Sequence, residues 1–295
     1  MRALVIGCGY LGLPLAQTLA RQGLEVFGMR RHWADPTAVE ATGVKPLTAD
    51  LTQTADLQRL PGPFDWVVNC ASSGGGGVDD YRRIYLEGTR RLIDWMLEST
   101  PGRFVYTSST GVYGQTDGSE VTELSATQPG TATGDVLVDT EALLRAATRE
   151  RDLPAIVLRV AGIYGPERGF WLKQFLAGEA RLEGEGRRVL NLIHRDDVIG
   201  AVVAALEKGR IGATYNAVDN EPVTQGELLR WLSARTGQPL PPSIPEDPTV
   251  SRKRGLTSKR VRNDKLRAET GWTPRHPTFR EGFAVELARL RPPSR

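Results

Sequence analysis

Gly7-Cys8-Gly9-Tyr10-Leu11-Gly12 sets three glycines in a Gly-x-Gly-x-x-Gly spacing directly after the apolar run Ala3–Ile6. Leu11–Arg21 follows with helical periodicity, and Pro14 falls in the first turn, where its missing donor costs nothing. Between a strand and a helix, such glycines allow a tight turn and a close backbone approach. The helix start then presents free N–H groups to an anion. The chemistry of this loop is the binding of a dinucleotide pyrophosphate; the plain alternative is a strand-to-helix turn with no ligand.

The second apolar run, Leu24–Met29, leads into Arg30-Arg31-His32. A carboxylate usually reads the ribose hydroxyls at this point, and none is present. Two guanidiniums instead suit a ribose 2′-phosphate, which they grip through charge-assisted paired bonds. NADP is therefore expected, with NAD less favoured. Asp50-Leu51, just past the third run, is placed to hold the adenine end. The alternative for Arg30 and Arg31 is surface charge, because 32 of the 38 basic residues are arginine.

These residues need a scaffold, and the hydrophobic pattern supplies one. Strand-length apolar runs occur at Ala3–Ile6, Leu24–Met29, Val44–Ala49, Trp66–Ala71, Arg103–Ser108 and Ala155–Val160. Helix-period segments at Leu11–Arg21, Thr54–Leu60, Tyr81–Leu97 and Val136–Arg149 alternate with them. Continuous runs point to strands buried on both faces, and the β-α-β-α order to an α/β fold with a doubly wound parallel sheet. After Gly165 the rhythm breaks. Helices are expected near Trp171–Ala177, Asp196–Glu207, Gln225–Thr236 and Phe279–Arg289, and strands near Arg188–Ile193 and Ala213–Val218. The proline-rich stretch 238–247 reads as a loop.

At 295 residues the chain suits one large domain or two modest ones. Its apolar content of 40% and charged content of 25% exclude a disordered or fibrous chain. No apolar run reaches membrane-helix length. The opening residues read as a strand rather than a signal peptide, and two cysteines make no disulfide framework, so a cytoplasmic protein is expected. The net charge of +3 is too near balance to indicate nucleic acid. No Cys-x-x-Cys or His-x-x-x-His occurs among His32, His194 and His276, and no metal site is expected.

Further motifs carry a family resemblance. They are the stretch 104–114 around Ser108-Ser109-Thr110-Gly111-Val112-Tyr113-Gly114, Leu158-Arg159-Val160 through Ile163-Tyr164-Gly165-Pro166, Asn191-Leu192-Ile193-His194-Arg195-Asp196-Asp197, Gly271-Trp272-Thr273-Pro274 and Phe279-Arg280-Glu281-Gly282. With the glycine loop, they resemble the extended short-chain dehydrogenase/reductases in their NAD(P)-dependent epimerase/dehydratase branch, over nearly the whole chain. The resemblance implies a Rossmann domain over residues 1–165, with 187–218 contributing, and a smaller substrate domain over 166–295. It places Ala71, Thr107 and Ala161-Gly162-Ile163 around the nicotinamide and its ribose, and Ser109 on the substrate oxygen. It also sets the basic run Arg252–Arg267, eight cations opposed by Asp264, beside the substrate cleft, which suits an anionic small molecule such as a nucleotide sugar. A solvated basic surface is the plain alternative. No aromatic interleaving supports nucleic acid there.

The resemblance also implies a Tyr-x-x-x-Lys pair on the helix after the fifth strand, where the ammonium lowers the phenol pKa for proton exchange during hydride transfer. Alignment on Gly134 and Glu141 puts Thr133 at the Tyr position and Leu137 at the Lys position. None of the seven tyrosines has a lysine four residues on, and only Tyr164 has a cation there, Arg168. Candidate substitutes are Tyr113, Tyr164, Asp135 and Glu123, with Tyr113 more natural as a wall or packing residue and the two acids as solvated charges. Cys8 and Cys70 end neighbouring strands, as two small buried thiols or as a redox-sensitive pair. The helix at 81–97 shows one apolar stripe, so a monomer or weak homodimer is expected. The expected function is an NADP-binding epimerase/dehydratase-like oxidoreductase acting on a sugar, nucleotide sugar or similar hydroxylated molecule. The alternative is a catalytically silent NADP(H)-binding regulator.

Overall fold

Seven short apolar segments form one fully parallel sheet. They are β1 (Arg2–Ile6), β2 (Glu25–Arg30), β3 (Val44–Thr48), β4 (Trp66–Asn69), β5 (Arg103–Ser109), β6 (Ala155–Val160) and β7 (Thr214–Ala217), in the order β7-β6-β5-β4-β1-β2-β3. The computed structural model describes residues 1–245 and 257–290. Alternate residues of β1 enter different cores: Ala3 and Val5 pack on one side, Leu4 and Ile6 on the other. Burial on both faces is why these runs are continuous rather than alternating.

Helices cover both faces. Gly12–Arg21 follows β1, Ala132–Arg151 follows β5, and Arg195–Lys208 precedes β7. The segment after β4 is helical from Val78 to Glu98, with a π-helical stretch at Arg82–Glu87. Its extra residue per turn displaces the side chains on either side of it, a feature that often marks a functional site. The run expected as one strand near Arg188–Ile193 is two short ones, Val189–Leu190 and Leu192–His194. The proline-rich stretch contains a short strand, Ser243–Ile244, on Leu182–Glu183. A helix at Asp264–Thr270 was not expected, because it is seven residues long and carries no amphipathic period. A separate apolar cluster gathers Tyr164, Phe175, Leu228, Leu232, Phe279 and Phe283. No described helix is long and apolar enough to cross a membrane.

One polar network is buried within this frame. Arg159 on β6 and Glu141 on the helix Ala132–Arg151 are 3% and 1% exposed, and their side chains bond at 2.6 and 3.1 Å. Ser108 donates to Glu141 at 2.7 Å, and Arg159 donates to the Tyr113 hydroxyl at 2.7 Å. Tyr113 in turn donates to Asn216 on β7 at 2.8 Å. Lys259 is buried and donates to the Tyr113 carbonyl at 2.6 Å. Burial lowers its ammonium pKa to about 8. The network ties the helix after β5 to three strands and to the C-terminal segment.

Removing one partner of a buried pair strands the other charge in low dielectric. Glu141→Gln is therefore expected to lower unfolding stability by about 3–5 kcal/mol in urea titration, with the secondary-structure signal retained below the transition.

Candidate active site

The C-terminal ends of the strands open onto a cleft of about 900 Å³. This is where ligands bind in open parallel sheets. The chain reaches the cleft first through the glycine loop. Gly7 takes φ +83°, and its N–H and that of Cys8 both donate to the Met29 carbonyl, at 2.9 and 3.1 Å. A Cβ on Gly7 would lie 2.5 Å from the Ala71 nitrogen, and one on Gly12 would lie 2.3 Å from the Gly7 carbonyl oxygen. Gly9 differs: a Cβ there would meet nothing closer than 4.0 Å, and the residue is exposed on the cleft wall. The loop is thus locked at its two ends and bare in the middle, a cradle that a side chain on Gly9 would fill.

Along one arm of the cleft lie Arg30, Arg31 and His32, all exposed. The Arg30 guanidinium sits 5.3 Å from the Trp33 ring centre. Asp50 and Leu51 line the same arm. The Asp50 carboxylate accepts from the Thr52 N–H and hydroxyl, both at 2.8 Å, so it shapes the turn.

Along the other arm lie Ala71, Thr107, Ser109, Ala161, Gly162 and Ile163. Thr107 donates to the Asn69 carbonyl at 3.0 Å, and the Ala71 N–H donates to the Asn69 side chain at 3.0 Å, which fixes the ends of β4 and β5 against each other. Gly162-Ile163-Tyr164 pairs in parallel with Leu192-Ile193-His194. Ser109 accepts from the Gly111 N–H at 3.0 Å, which leaves its O–H able to donate into the cleft. Thr133 and Leu137 also line the cleft, on the first turns of the helix Ala132–Arg151. The positions that would carry the Tyr-x-x-x-Lys pair therefore face the cleft and hold a hydroxyl and an aliphatic chain.

The other candidates separate. Tyr113 has no exposed surface and lies outside the cleft; its hydroxyl belongs to the Arg159 and Asn216 network, and burial raises its pKa. Tyr164 touches the cleft but is 2% exposed and stacks on Phe283 at 4.3 Å. Burial first, and then the nearby Asp219 and Asp197 carboxylates, push its phenol far above the ordinary value, the wrong direction for a base. Arg168 approaches Tyr10 rather than Tyr164, with its guanidinium carbon 4.9 Å from the Tyr10 ring centre. Asp135 is exposed in the first helical turn, and Glu123 accepts from the Asn216 N–H. Gly12 acts through packing against Gly7 and does not line the cleft.

The thiols are not reactive groups. Burial pushes the Cys8 and Cys70 pKa values up to about 12, so neither is a thiolate at neutral pH. His194 caps the helix Arg195–Lys208 by accepting from the Asp196 N–H, and bonds Glu286 at 3.1 Å. Burial lowers its pKa, so it stays neutral. Asp197 accepts from the His276 ring and from the backbone N–H groups of Arg275 and His276. His194, Asp197 and His276 have ligand atoms within 4.8 Å of one another. Both His194 nitrogens, His276 Nδ1 and the Asp197 oxygens are already committed to capping and to bracing the C-terminal segment.

Among the described residues, no cation of the basic run lines the cleft. Lys259 is buried, Lys265 donates to the Thr214 carbonyl, and Arg262 pairs with Glu120 and Asp264. Arg252, Lys253 and Arg254 lie outside the described residues. Not expected from the sequence were Ile84 and Tyr85, which reach the cleft from the π-helical stretch, Tyr81 just before it, and the aromatic wall of Phe170 and Trp171. The 81/84/85 spacing was the available signal, since it marks one helical face.

Comparison with known proteins agrees with this geometry. The sequence model of the NAD dependent epimerase/dehydratase family matches residues 3–217. The chain is 31% identical over 220 residues to protein YeeZ of Escherichia coli strain K12, covering 72% of this chain and 75% of that one. It is 28% identical over 314 residues to the 3-diazoavenalumate denitrifying reductase of a Streptomyces species, covering 97% and 100%. The structure of DesIV, a dTDP-glucose 4,6-dehydratase of Streptomyces venezuelae with NAD and TYD bound, superposes with a TM-score of 0.82 at 23% identity, covering 98% and 96%, a likeness of fold.

The loop geometry separates ligand effects from folding effects. Gly9→Val is expected to keep the melting temperature while abolishing dinucleotide binding, because the added atoms meet ligand space. Gly12→Val is expected to destabilise the fold itself, because its Cβ meets backbone. Thermal unfolding and calorimetric titration of both variants check this.

Proposed function

The chain belongs to the NAD-dependent epimerase/dehydratase family, whose members are NAD(P)-dependent enzymes, and from that premise we propose that it is an NADP-dependent oxidoreductase acting on a small hydroxylated or carbonyl-bearing molecule. The observation that carries this reading is a single cleft lined by the bare Gly9 backbone, by Arg30 and Arg31, and by Ser109. The cations lining the cleft among the described residues are Arg30, Arg31 and Arg168, against one carboxylate, Asp50. That excess of positive charge suits the phosphates of a dinucleotide. The structure of DesIV holds NAD. The two arginines at the end of β2 support the phosphorylated form here, because they stand where the ribose-binding carboxylate usually does.

The dinucleotide supplies hydride exchange. The chain binds the pyrophosphate at the helix start after Gly9 and orients the substrate oxygen through the Ser109 hydroxyl. Thr133 offers a second hydroxyl beside it. Leu137 provides no ammonium, and no lysine among the described residues lines the cleft to turn a hydroxyl into an acid or base near pH 7. Reduction of a carbonyl and oxidation of an alcohol use the same proton-carrying group in opposite directions, so here the proton passes between the substrate oxygen and water through the Ser109 and Thr133 hydroxyls. The sugar and nucleotide-sugar reading rests on the family, and the described cations of the C-terminal run lie outside the cleft.

A hydrogen bond to a charged group contributes roughly 1.5–3 kcal/mol. One good arginine contact to a 2′-phosphate should therefore favour NADPH over NADH by about 10- to 100-fold. Calorimetry at low salt is expected to show that preference, shrinking as salt rises, with Arg30→Ala removing most of it. Equal dissociation constants in the wild type would remove the NADP assignment. The silent-regulator reading is favoured by Thr133 and Leu137 alone. It is excluded by NADPH consumption with any member of a carbonyl panel, abolished by Gly9→Val and reduced about 10- to 100-fold by Ser109→Ala.

A further inference from the structure

The cleft contains a third arginine that neither the glycine loop nor the β2 arm explains. Arg168 lines it, as do Gly7, Gly9 and Tyr10. Its backbone is set by a tight turn in which Gly165 and Arg168 exchange both hydrogen bonds, at 2.8 and 3.0 Å. Glu167 inside that turn takes φ +60°. The turn is seated against the glycine loop: a Cβ on Gly165 would lie 3.0 Å from the Tyr10 hydroxyl and 3.2 Å from His194 Nε2. From this seat the Arg168 guanidinium reaches within 4.9 Å of the Tyr10 ring centre. Arg195 approaches the same ring at 5.3 Å, but its charge is matched by Asp196 at 2.9 Å. Arg168 is exposed to the cleft and has no ion-pair partner among the described residues.

We infer that Arg168 is a pyrophosphate ligand, gripping the dinucleotide's phosphates together with the N–H groups of the glycine loop; this rests on the dinucleotide reading above. Tyr10 follows Gly9 directly. A group held over its ring is therefore within side-chain reach of the backbone that faces the phosphates. A guanidinium resting near an aromatic ring keeps N–H edges free, and those edges fit phosphate oxygens bidentately. The Tyr10 phenol adds no negative charge to compete, since burial pushes its pKa up to about 12. Arg30 and Arg31 act on the far arm, at the ribose, so the two functions are separable.

The test uses fragments. NADPH and NADH contain the pyrophosphate, whereas adenosine 2′-monophosphate keeps the ribose 2′-phosphate and has neither phosphate of the pyrophosphate. In calorimetric titration of the whole protein, Arg168→Gln is expected to weaken NADPH and NADH by a similar factor, about 10- to 100-fold. Its affinity for the monophosphate should stay at the wild-type value, which also certifies the fold. Arg168→Lys should recover part of the loss, because a point charge replaces only part of a bidentate grip. Unchanged dinucleotide affinity in Arg168→Gln overturns the inference alone, as does a loss that extends equally to the monophosphate. A wild-type protein that binds neither dinucleotide overturns both this inference and the cofactor reading.

Discussion

Backbone contacts backbone where β1 and β4 end, and the site depends on that closeness. Gly7 leaves β1 with no room for a side chain against Cys70 and Ala71, and its N–H is held by the Met29 carbonyl of β2. Three strand ends thereby meet at one glycine. Cys8 then packs inward, and Gly9 and Tyr10 turn into the cleft. Gly12 then lets the following helix press onto the Gly7 carbonyl, which aims its N-terminus at the same space. Tyr10 is carried over to the Gly165–Arg168 turn as a result, so the loop after β6 is built against the loop after β1.

The opposite wall depends on charge rather than shape. The helix Ala132–Arg151 brings Thr133 and Leu137 to the cleft, and it is held by Glu141 against Arg159 and Ser108. Buried ion pairs contribute little net stability relative to apolar packing, yet they are costly to break. Here the pair fixes the rotation of a helix whose apolar stripe alone would allow some slippage. Tyr113 extends the same network to β7 and to Lys259, so the C-terminal segment is anchored beneath the cleft through polar contacts.

The titratable groups divide by environment. Those outside open water are driven towards their neutral forms: Cys8, Cys70, Tyr10 and Tyr164 upward, His194 and Lys259 downward, each chiefly through burial. Where an opposite charge stands near, as Glu286 beside His194 or Arg168 and Arg195 beside Tyr10, burial outweighs it. The cleft wall thus joins exposed arginines to groups poorly suited to proton transfer.

Local pattern alone determined the parallel sheet, the glycine loop and the two arginines after β2. Their signals lie within a few residues: apolar runs of strand length, glycines at fixed spacing, and the absence of an acid at one position. Thr133 and Leu137, four residues apart around Gly134, were legible as a pair on one helix face, and both line the cleft. Side chains whose partners lie far along the chain were not legible. Lys259 reads as one of eight cations in a basic run, yet it is buried against Tyr113, 146 residues away. Arg168 reads as the cation four residues after Tyr164, yet the positive φ of Glu167 turns it towards Tyr10. Tyr113 reads as part of a site motif, yet Asn216 and Arg159 claim its hydroxyl. In each case the backbone element was predictable from its own residues. The direction of the side chain was set by whichever distant group could satisfy its charge or hydrogen bond, and only the packed tertiary structure brings that group within reach.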